Sequence, residues 1–397
     1  MRLRWGHPRS LWGITPILTL PLLAECDRRL GLRSHSLVYH TYYIRRDFDI
    51  NLERPLSLVR KYMPSWETRL VYLLFAWAML RYDVFHFFLD RGILPSAGRM
   101  GINPLEAELL HRAGKRLYTY TYGADVRTRE GTLRLGTYNF CVDCPEPARF
   151  CICDDAAEAE MIAAIEPHAT AMLAMGDMLA YVPAATELHF WPIDTSRFVP
   201  SPPDFRGDRP LRVFHAPNHA HFKGTRHLEA AIERLRAQGR AIELEQVQGL
   251  PNSEVLARMS ACDLVAEQFI GGFHGYTALE AMALGKPVIC FVRERRLLAS
   301  AKDCPLLDAD PDRLEGVLRD CSTRCHDLAA LGRQGRAYVE KYHSIDAVAA
   351  RLGRLYLADA RLPPGRARLL EQAVCQLEAR LGTIAVPQAA AIPALLT

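Results

Sequence analysis

Two short stretches of this chain carry residue types that can hold a charged ligand. The first is HAPNHAHFKGT, His215 to Thr225, where three histidines, a proline and an asparagine precede Lys223 and Gly224. It leaves the strand-like run LRVF (Leu211 to Phe214) and leads into a long helical pattern. Such a turn is either a plain strand-to-helix connection or an anion site, in which helix N-terminal amides, a lysine and histidines gather around phosphate. The second stretch is GGFHGYTALEAMALGKPVICF, Gly271 to Phe291. Its three glycines, Gly271, Gly272 and Gly275, allow a tight turn and leave room for a ligand beside the backbone. A helix then starts at Tyr276 or Thr277, with the Thr277 hydroxyl as a candidate cap. Glu280 falls one turn inside that helix, where a carboxylate can accept two hydrogen bonds from a vicinal diol such as a ribose. One segment thus combines a phosphate nest with a ribose acceptor.

The elements that must position these residues follow an α/β rhythm. In the first half SHSLVYH, YDVFHFFL and KRLYTYTYG read as strands, while PLLAECDRRLG and LEAELLHRAG read as helices closed by glycine. Residues 196–210, rich in proline and without helical period, read as a linker. The alternation then resumes with LRVFHAP, AIELEQVQG, DLVAEQF and KPVICFV as strands separated by helices. A chain of 397 residues is long for one domain. The expected architecture is therefore two doubly wound α/β domains facing a cleft, with ligands at the carboxyl ends of the strands. The boundaries are 1–195 for the first domain, with a cysteine-rich insertion at 141–153, and 211–345 for the second. Helices at 346–381 and a flexible tail at 382–397 follow.

Composition narrows the class. A hydrophobic content of 49% and a charged content of 24% are those of a globular protein, and a net charge of +4 is too mild to argue for nucleic acid. The N-terminal apolar run LWGITPILTLPLL is broken by Gly13, Pro16 and Pro21 and lacks a small-residue cleavage site. LVYLLFAWAML (Leu70 to Leu80) is far short of the ~20 apolar residues of a membrane span and reads as a buried helix. Eleven cysteines without secretory features fit reduced thiols. The expected location is cytoplasmic, with peripheral contact at the inner face of a membrane left open by basic pieces such as MRLRWGHPR.

Residues Leu211 to Leu357 resemble the C-terminal domain of the family-4 glycosyltransferases, which have the GT-B fold. FKGT is similar to the family's Lys-Gly after the first strand of its nucleotide-binding domain. YTALEAMALGKPVI is similar to its donor-site helix, and EKYHSIDAVAARLGRLY to a closing helix that crosses back onto the N-terminal domain. In the first half, WGITP (Trp12 to Pro16) resembles a glycine-containing loop facing the cleft, which makes Gly13 and Thr15 acceptor-side candidates. YTYGADVR (Tyr120 to Arg127) resembles a strand-end segment whose aspartate is Asp125. The resemblance implies a Rossmann-like pair of domains and sugar transfer from a nucleotide sugar, UDP-, GDP- or ADP-linked, to a hydroxyl of a glycan or lipid-linked acceptor. It implies retention and no metal or other cofactor for catalysis. Lys223 would neutralise the donor diphosphate, Glu280 would bind ribose, and the amides of Gly275, Tyr276 and Thr277 would hold phosphate. Asp125 would contact acceptor or donor sugar; its other reading is a turn aspartate paired with Arg127.

The departures are specific. The family pairs two glutamates separated by seven residues, and the position eight before Glu280 is Gly272. Glu267 or Gln268 is a candidate substitute for the missing carboxylate. The arginine usual five before the lysine is Asn218, for which His215 and His219 are candidate stand-ins, and the histidine before Gly123 is Tyr122. Two rival functions stay open: a nucleotide-sugar 2-epimerase, and a degenerate GT-B protein that binds glycan or a partner. Separately, CVDCPEPARFCICDD holds Cys141, Cys144, Cys151 and Cys153, a candidate structural zinc set; separate thiols or a regulatory disulfide are the alternatives.

Overall fold

The computed structural model describes residues 8–42, 46–96, 100–323 and 325–388. They form two compact units. The first comprises the described residues up to Gly131, Glu146–Pro192 and Val348–Glu378. The second comprises Thr132–Pro145, Ile193–Ala347 and the described residues from Ala379 onward. The C-terminal segment 348–378 therefore belongs with the N-terminal half of the sequence, and the short arm 132–145 belongs with the C-terminal half. Of the expected tail, residues beyond 388 lie outside the described residues, as do residues 1–7 of the basic N-terminal piece.

The first unit is built on seven parallel strands: β1 (Arg9–Ile14), β2 (Arg33–Val38), β3 (Ile50–Asn51), β4 (Val84–Phe88), β5 (Arg116–Tyr120), β6 (Ala171–Ala174) and β7 (Thr186–Glu187). Their order is β3-β2-β1-β4-β5-β6-β7, so the direction of winding reverses between β1 and β4. β4 and β5 are buried at every position, as expected for a parallel sheet covered on both faces. β1 corrects the sequence reading: Gly13 is not in a loop but inside the strand, in register with Leu37 on one side and Phe87 on the other. Only Thr15 lies beyond the strand end.

A buried polar cluster ties the C-terminal segment to this sheet. Trp12 Nε1 donates to Asp27 Oδ2 at 2.9 Å, and the Tyr356 hydroxyl donates to Asp27 Oδ1 at 2.7 Å. The Tyr356 oxygen also lies 3.2 Å from His86 Nε2, and the His86 ring stacks on Trp12 with centroids 3.9 Å apart. Burial pushes the Asp27 carboxyl up to about 6, against the pull of these donors, and pushes His86 well down. Tyr356 is thus a donor supplied from the far end of the sequence to a carboxylate buried beneath the sheet.

The run Leu70 to Leu80, expected as a buried helix, forms the helix Glu67–Arg81, yet only Val71, Phe75 and Ala78 are buried; Tyr72, Leu73, Trp77 and Leu80 are exposed. Among the described residues no helix is long and apolar enough to cross a membrane.

The second unit carries five parallel strands: β8 (Leu211–His215), β9 (Ile242–Gln246), β10 (Leu264–Ala266), β11 (Val288–Cys290) and β12 (Leu307–Asp308). Their order is β12-β11-β10-β8-β9, which reverses between β8 and β10. Leu211, Val213, Leu264 and Ile289 from the strands pack with Leu228 and Leu318 from the helices in its core. The proline-rich segment 196–210, expected as a linker, is an extended strap of this unit. Ser201 N donates to Leu284 O at 2.7 Å, Phe205 is buried in the core, and Arg336 donates to the carbonyls of Thr195, Phe198 and Ala283. Proline suits such a strap because it needs no backbone donor of its own.

Tyr356→Phe removes a 2.7 Å hydrogen bond from a fully buried carboxylate. It is expected to lower unfolding free energy by about 1–3 kcal/mol in urea denaturation at neutral pH.

Candidate functional site

Doubly wound sheets bind ligands at the carboxyl edge where the winding reverses. In the second unit that place lies between the ends of β8 and β10, and the two motifs singled out in the sequence leave the sheet there. β8 ends in His215, which is fully buried. Its Nδ1 lies 2.8 Å from the carbonyl of Ala266, so Nδ1 carries the proton, and Nε2 accepts from the Thr225 hydroxyl at 2.8 Å. Burial pushes its pKa down to about 4. His215 is therefore a neutral strut between strand and helix, and does not stand in for an arginine.

The chain continues into a one-turn helix, Ala220–Lys223, which ends at Gly224 in the left-handed region before the helix Thr225–Ala237. This turn aims Lys223 at Glu267, the first residue after β10, and the two form an ion pair. The other oxygen of Glu267 accepts from Gly275 N at 3.0 Å. Burial would raise the Glu267 carboxyl, but the Lys223 ammonium and the hydrogen bonds from Lys223 and Gly275 outweigh it and hold it below the usual carboxylate range. A Cβ at position 275 would fall 2.5 Å from Glu267 Oε1, so glycine there is a requirement of close approach. A lysine and a backbone amide at the start of a helix thus converge on one negative charge.

That helix runs from Tyr276 to Ala283, with Gly275 as its N-cap residue. No side chain caps it: Thr277, expected as a cap, sits within its first turn. The amides of Tyr276 and Thr277 precede the first residue that can find an intrahelical acceptor. Glu280 lies one turn in, buried, with Oε1 accepting from Asn252 Nδ2 at 2.9 Å. Burial raises its carboxyl to about 7, moderated by Asn252. Asn252 starts the helix Asn252–Ser260 and was missed in the sequence, where nothing but its polarity sets it apart.

The remaining donor-side candidates divide. Gln268 is turned into its own loop: Oε1 accepts from Gly271 N at 2.5 Å, and Nε2 donates to the carbonyls of Phe273 and Phe291. It braces the glycine turn, which leaves Glu267 as the carboxylate that reaches the nest. Asn218 and His219 are exposed in the loop after β8, where the Asn218 carbonyl accepts from Gln248 Nε2 at 3.0 Å and the His219 ring meets Phe222 edge-on. Gly272 has φ of 84°, and a Cβ there would collide with the guanidinium of Arg293. Arg293 is fixed by its own donations to the carbonyls of Gly271 (3.2 Å) and Tyr138 (2.8 Å). Where the resembling family has a carboxylate, this chain has a left-handed glycine with a cation filling the side-chain space.

The first unit has its own reversal, between β1 and β4, and polar groups gather at that edge. Thr15 Oγ1 donates to Asp90 Oδ1 at 2.5 Å, and Arg91 Nε to Asp90 Oδ2 at 2.7 Å. Past the end of β5, Asp125 is fully buried, and its Oδ1 accepts from the amides of Tyr122 (3.0 Å) and Gly123 (2.8 Å). Its Oδ2 is buried with no hydrogen-bond partner. Burial, helped by the charge of Asp90, pushes Asp125 up to about 7. Arg127, the partner expected for a mere turn aspartate, pairs with Asp177 instead, at 3.1 Å.

The four cysteines are divided between the two units, Cys141 and Cys144 with the second and Cys151 and Cys153 with the first. Among the described residues no group of three or more His, Cys, Asp or Glu is placed to hold a metal. The loop is braced by Asn139, whose Nδ2 donates to Gly136 O at 2.7 Å and whose Oδ1 accepts from Cys141 N (2.9 Å) and Val142 N (3.1 Å). Farther on, Ile152 N and Cys153 N donate to the carbonyls of Ala124 and Arg127.

No family profile and no curated protein matches this sequence. Solved structures match it in fold. A sucrose-phosphate synthase from Thermosynechococcus elongatus has a TM-score of 0.53 at 13% identity, over 88% of this chain and 98% of that one. HepE of Anabaena in complex with UDP and glucose has a TM-score of 0.56 at 14% identity, over 88% and 99%. The same protein in complex with UDP-glucose has 0.54 at 14%, over 88% and 99%. The fold is GT-B. Both parallel sheets of this GT-B chain, and the membership of residues 348–378 in the first unit, follow that architecture.

Gly272→Ala forces a left-handed non-glycine residue and displaces Arg293 from the turn. A loss of at least about 1–2 kcal/mol is expected, read as a lowered midpoint in thermal or urea unfolding.

Proposed function

We propose that the protein is a glycosyltransferase that moves a sugar from a nucleotide-sugar donor to a hydroxyl of a glycan or lipid-linked acceptor. The observation that carries this reading is the meeting of Lys223, the Gly275 amide and a buried anion at the reversal of the second sheet. HepE, which shares the fold, is described in complex with UDP, UDP-glucose and glucose.

In this reading the donor diphosphate lies against Lys223 and the first amides of the helix Tyr276–Ala283. Negative charge grows on the leaving diphosphate as the glycosidic bond breaks, and fixed donors aimed at it lower the barrier. Lys223 and the helix amides supply that stabilisation without a metal ion. The ribose hydroxyls donate to Glu280, which Asn252 holds in orientation. Glu267 keeps Lys223 and Gly275 in place before the donor arrives, and is the candidate substitute for the carboxylate missing at position 272. Transfer with retention needs no separate strong base, and Asp125, with one oxygen lacking a hydrogen-bond partner, is the group for a sugar hydroxyl on the first unit.

Calorimetric titration with UDP, GDP and ADP tests the donor site. One of the three is expected to bind in the micromolar range, and Glu280→Ala to weaken it by about 1–3 kcal/mol. Lys223→Ala should weaken the diphosphate while leaving the free nucleoside unaffected. If none of the three nucleotides binds, the donor-site reading is wrong, and a GT-B protein that binds without catalysis becomes the account.

The pH dependence carries a sign. Glu280 titrates at about 7 when no ligand is bound, and only its carboxylate accepts from both ribose hydroxyls. Affinity should therefore be full at pH 8 and fall as pH drops through 7, approaching about tenfold per unit below it. Glu280→Gln removes that component and leaves only the titration of the nucleotide itself. His215, at about 4, stays neutral throughout this window.

A further inference from the structure

The helical hairpin from Glu53 to Arg81 in the first unit is not used by the proposed chemistry, and its surface is unusual. It consists of the helix Glu53–Tyr62, a short turn Pro64–Trp66 and the helix Glu67–Arg81, packed against one another. The first helix and the turn bury no residue at all. The second buries one face, Val71, Phe75 and Ala78, and exposes an apolar one, with Leu73 at 61% and Leu80 at 78%. Leu58, Tyr62, Met63 and Trp66 on the first helix and the turn are likewise exposed, Tyr62 at 68%. A helix apolar on every side is stable only where something covers it, and exposed apolar area on this scale marks an interaction surface.

Charge decides between occupants. Residues 53–81 hold five basic side chains, Arg54, Arg60, Lys61, Arg69 and Arg81, against two acidic ones. Both acids are engaged locally: Glu67 accepts from Arg60 at 3.1 Å, and Glu53 from Thr41 at 2.6 Å. The cations sit over the exposed rings: Lys61 over Tyr62 at 5.0 Å, Arg69 over Trp66 at 5.2 Å and Arg81 over Trp77 at 5.6 Å. Aromatic side chains paired with long basic ones are the composition of a bilayer interface, where rings sit at headgroup depth and the basic heads meet lipid phosphate. A second copy of this chain related by a two-fold axis would bring the same basic face against itself. A helix of 15 residues, roughly 22 Å long, is too short to span the hydrocarbon layer and suits lying along it.

We propose that the hairpin Glu53–Arg81 docks this protein onto a bilayer surface containing anionic lipid, with Leu73, Trp77 and Leu80 entering the interface and Lys61, Arg69 and Arg81 contacting the headgroups. This does not depend on the glycosyltransferase reading, since lipid binding is measured without donor or acceptor.

The test is flotation of the full chain with vesicles of phosphatidylcholine alone or mixed with phosphatidylglycerol. Binding is expected to rise with the phosphatidylglycerol fraction and to fall with added salt. Leu73→Gln with Leu80→Gln should lower partitioning at least about tenfold while thermal unfolding stays unchanged, because both side chains are exposed. Lys61→Glu with Arg69→Glu should remove the preference for phosphatidylglycerol. As a second readout, brominated lipid should quench tryptophan emission in the parent protein and much less in Trp66→Phe/Trp77→Phe. Three results would overturn the proposal: no flotation with phosphatidylglycerol vesicles, flotation equal in the leucine variant and the parent, or a leucine variant whose only change is dissociation of a dimer in sedimentation velocity, which would assign the face to a second copy.

Discussion

Burying the charge of Glu267 is the constraint around which the second unit is arranged. A carboxylate inside a protein must be paired and hydrogen-bonded, or it will take up a proton. Glu267 sits at the end of β10 with no exposure, and three groups satisfy it: Lys223 from the loop after β8, the amide of Gly275 and the thiol of Cys290. Much of the local structure follows. The one-turn helix before Gly224 exists to bring Lys223 back toward β10, position 275 can carry no side chain, and Gln268 braces the turn so that the Gly275 amide arrives at the right place. His215 is held neutral beneath them, so the nest carries one mobile cation and one fixed dipole rather than a cluster of competing charges.

Two glutamates in the same unit are pushed in opposite directions. Glu267 is held ionised by its cation, whereas Glu280, equally buried but offered only the amide of Asn252, is raised to about 7. Groups with pKa values separated by their surroundings are suited to different tasks. A permanently charged carboxylate positions donors, while one that lacks donors gains from a ligand that brings hydroxyls. The first unit repeats the contrast. Asp27 is satisfied by Trp12 and Tyr356 and is structural, while Asp125 keeps one buried oxygen without a partner. An unsatisfied buried oxygen is costly to maintain, and Asp125 rather than Asp27 carries one.

The α/β rhythm, the doubly wound sheets and the anion-binding character of FKGT and of GGFHGYTALE could each be read from local sequence; that the two belong to one site came only from the family resemblance. Continuous apolar strands and glycine-ended helices are properties of neighbouring residues, and strand ends in such sheets face one edge. The errors share one origin: they needed knowledge of what lies opposite in space. β1 escaped notice because Gly13 and Pro16 break its pattern, although two flanking strands hold it in register. The helix Glu67–Arg81 looked buried because hydropathy reports what a side chain prefers, not whether anything covers it.

By itself, then, the sequence determined the elements, the fold class and the identity of the residues that can meet an anion, because period, turn chemistry and side-chain charge are local. Only the tertiary structure decided which of them meet. It paired Lys223 with Glu267, spent Gln268 on its own loop and gave Glu280 the partner Asn252. It set Arg293 in the space a side chain at position 272 would need. Each outcome rests on distances between residues far apart in the chain and on burial that raises or suppresses charge. Neither quantity is written in any short stretch of residues.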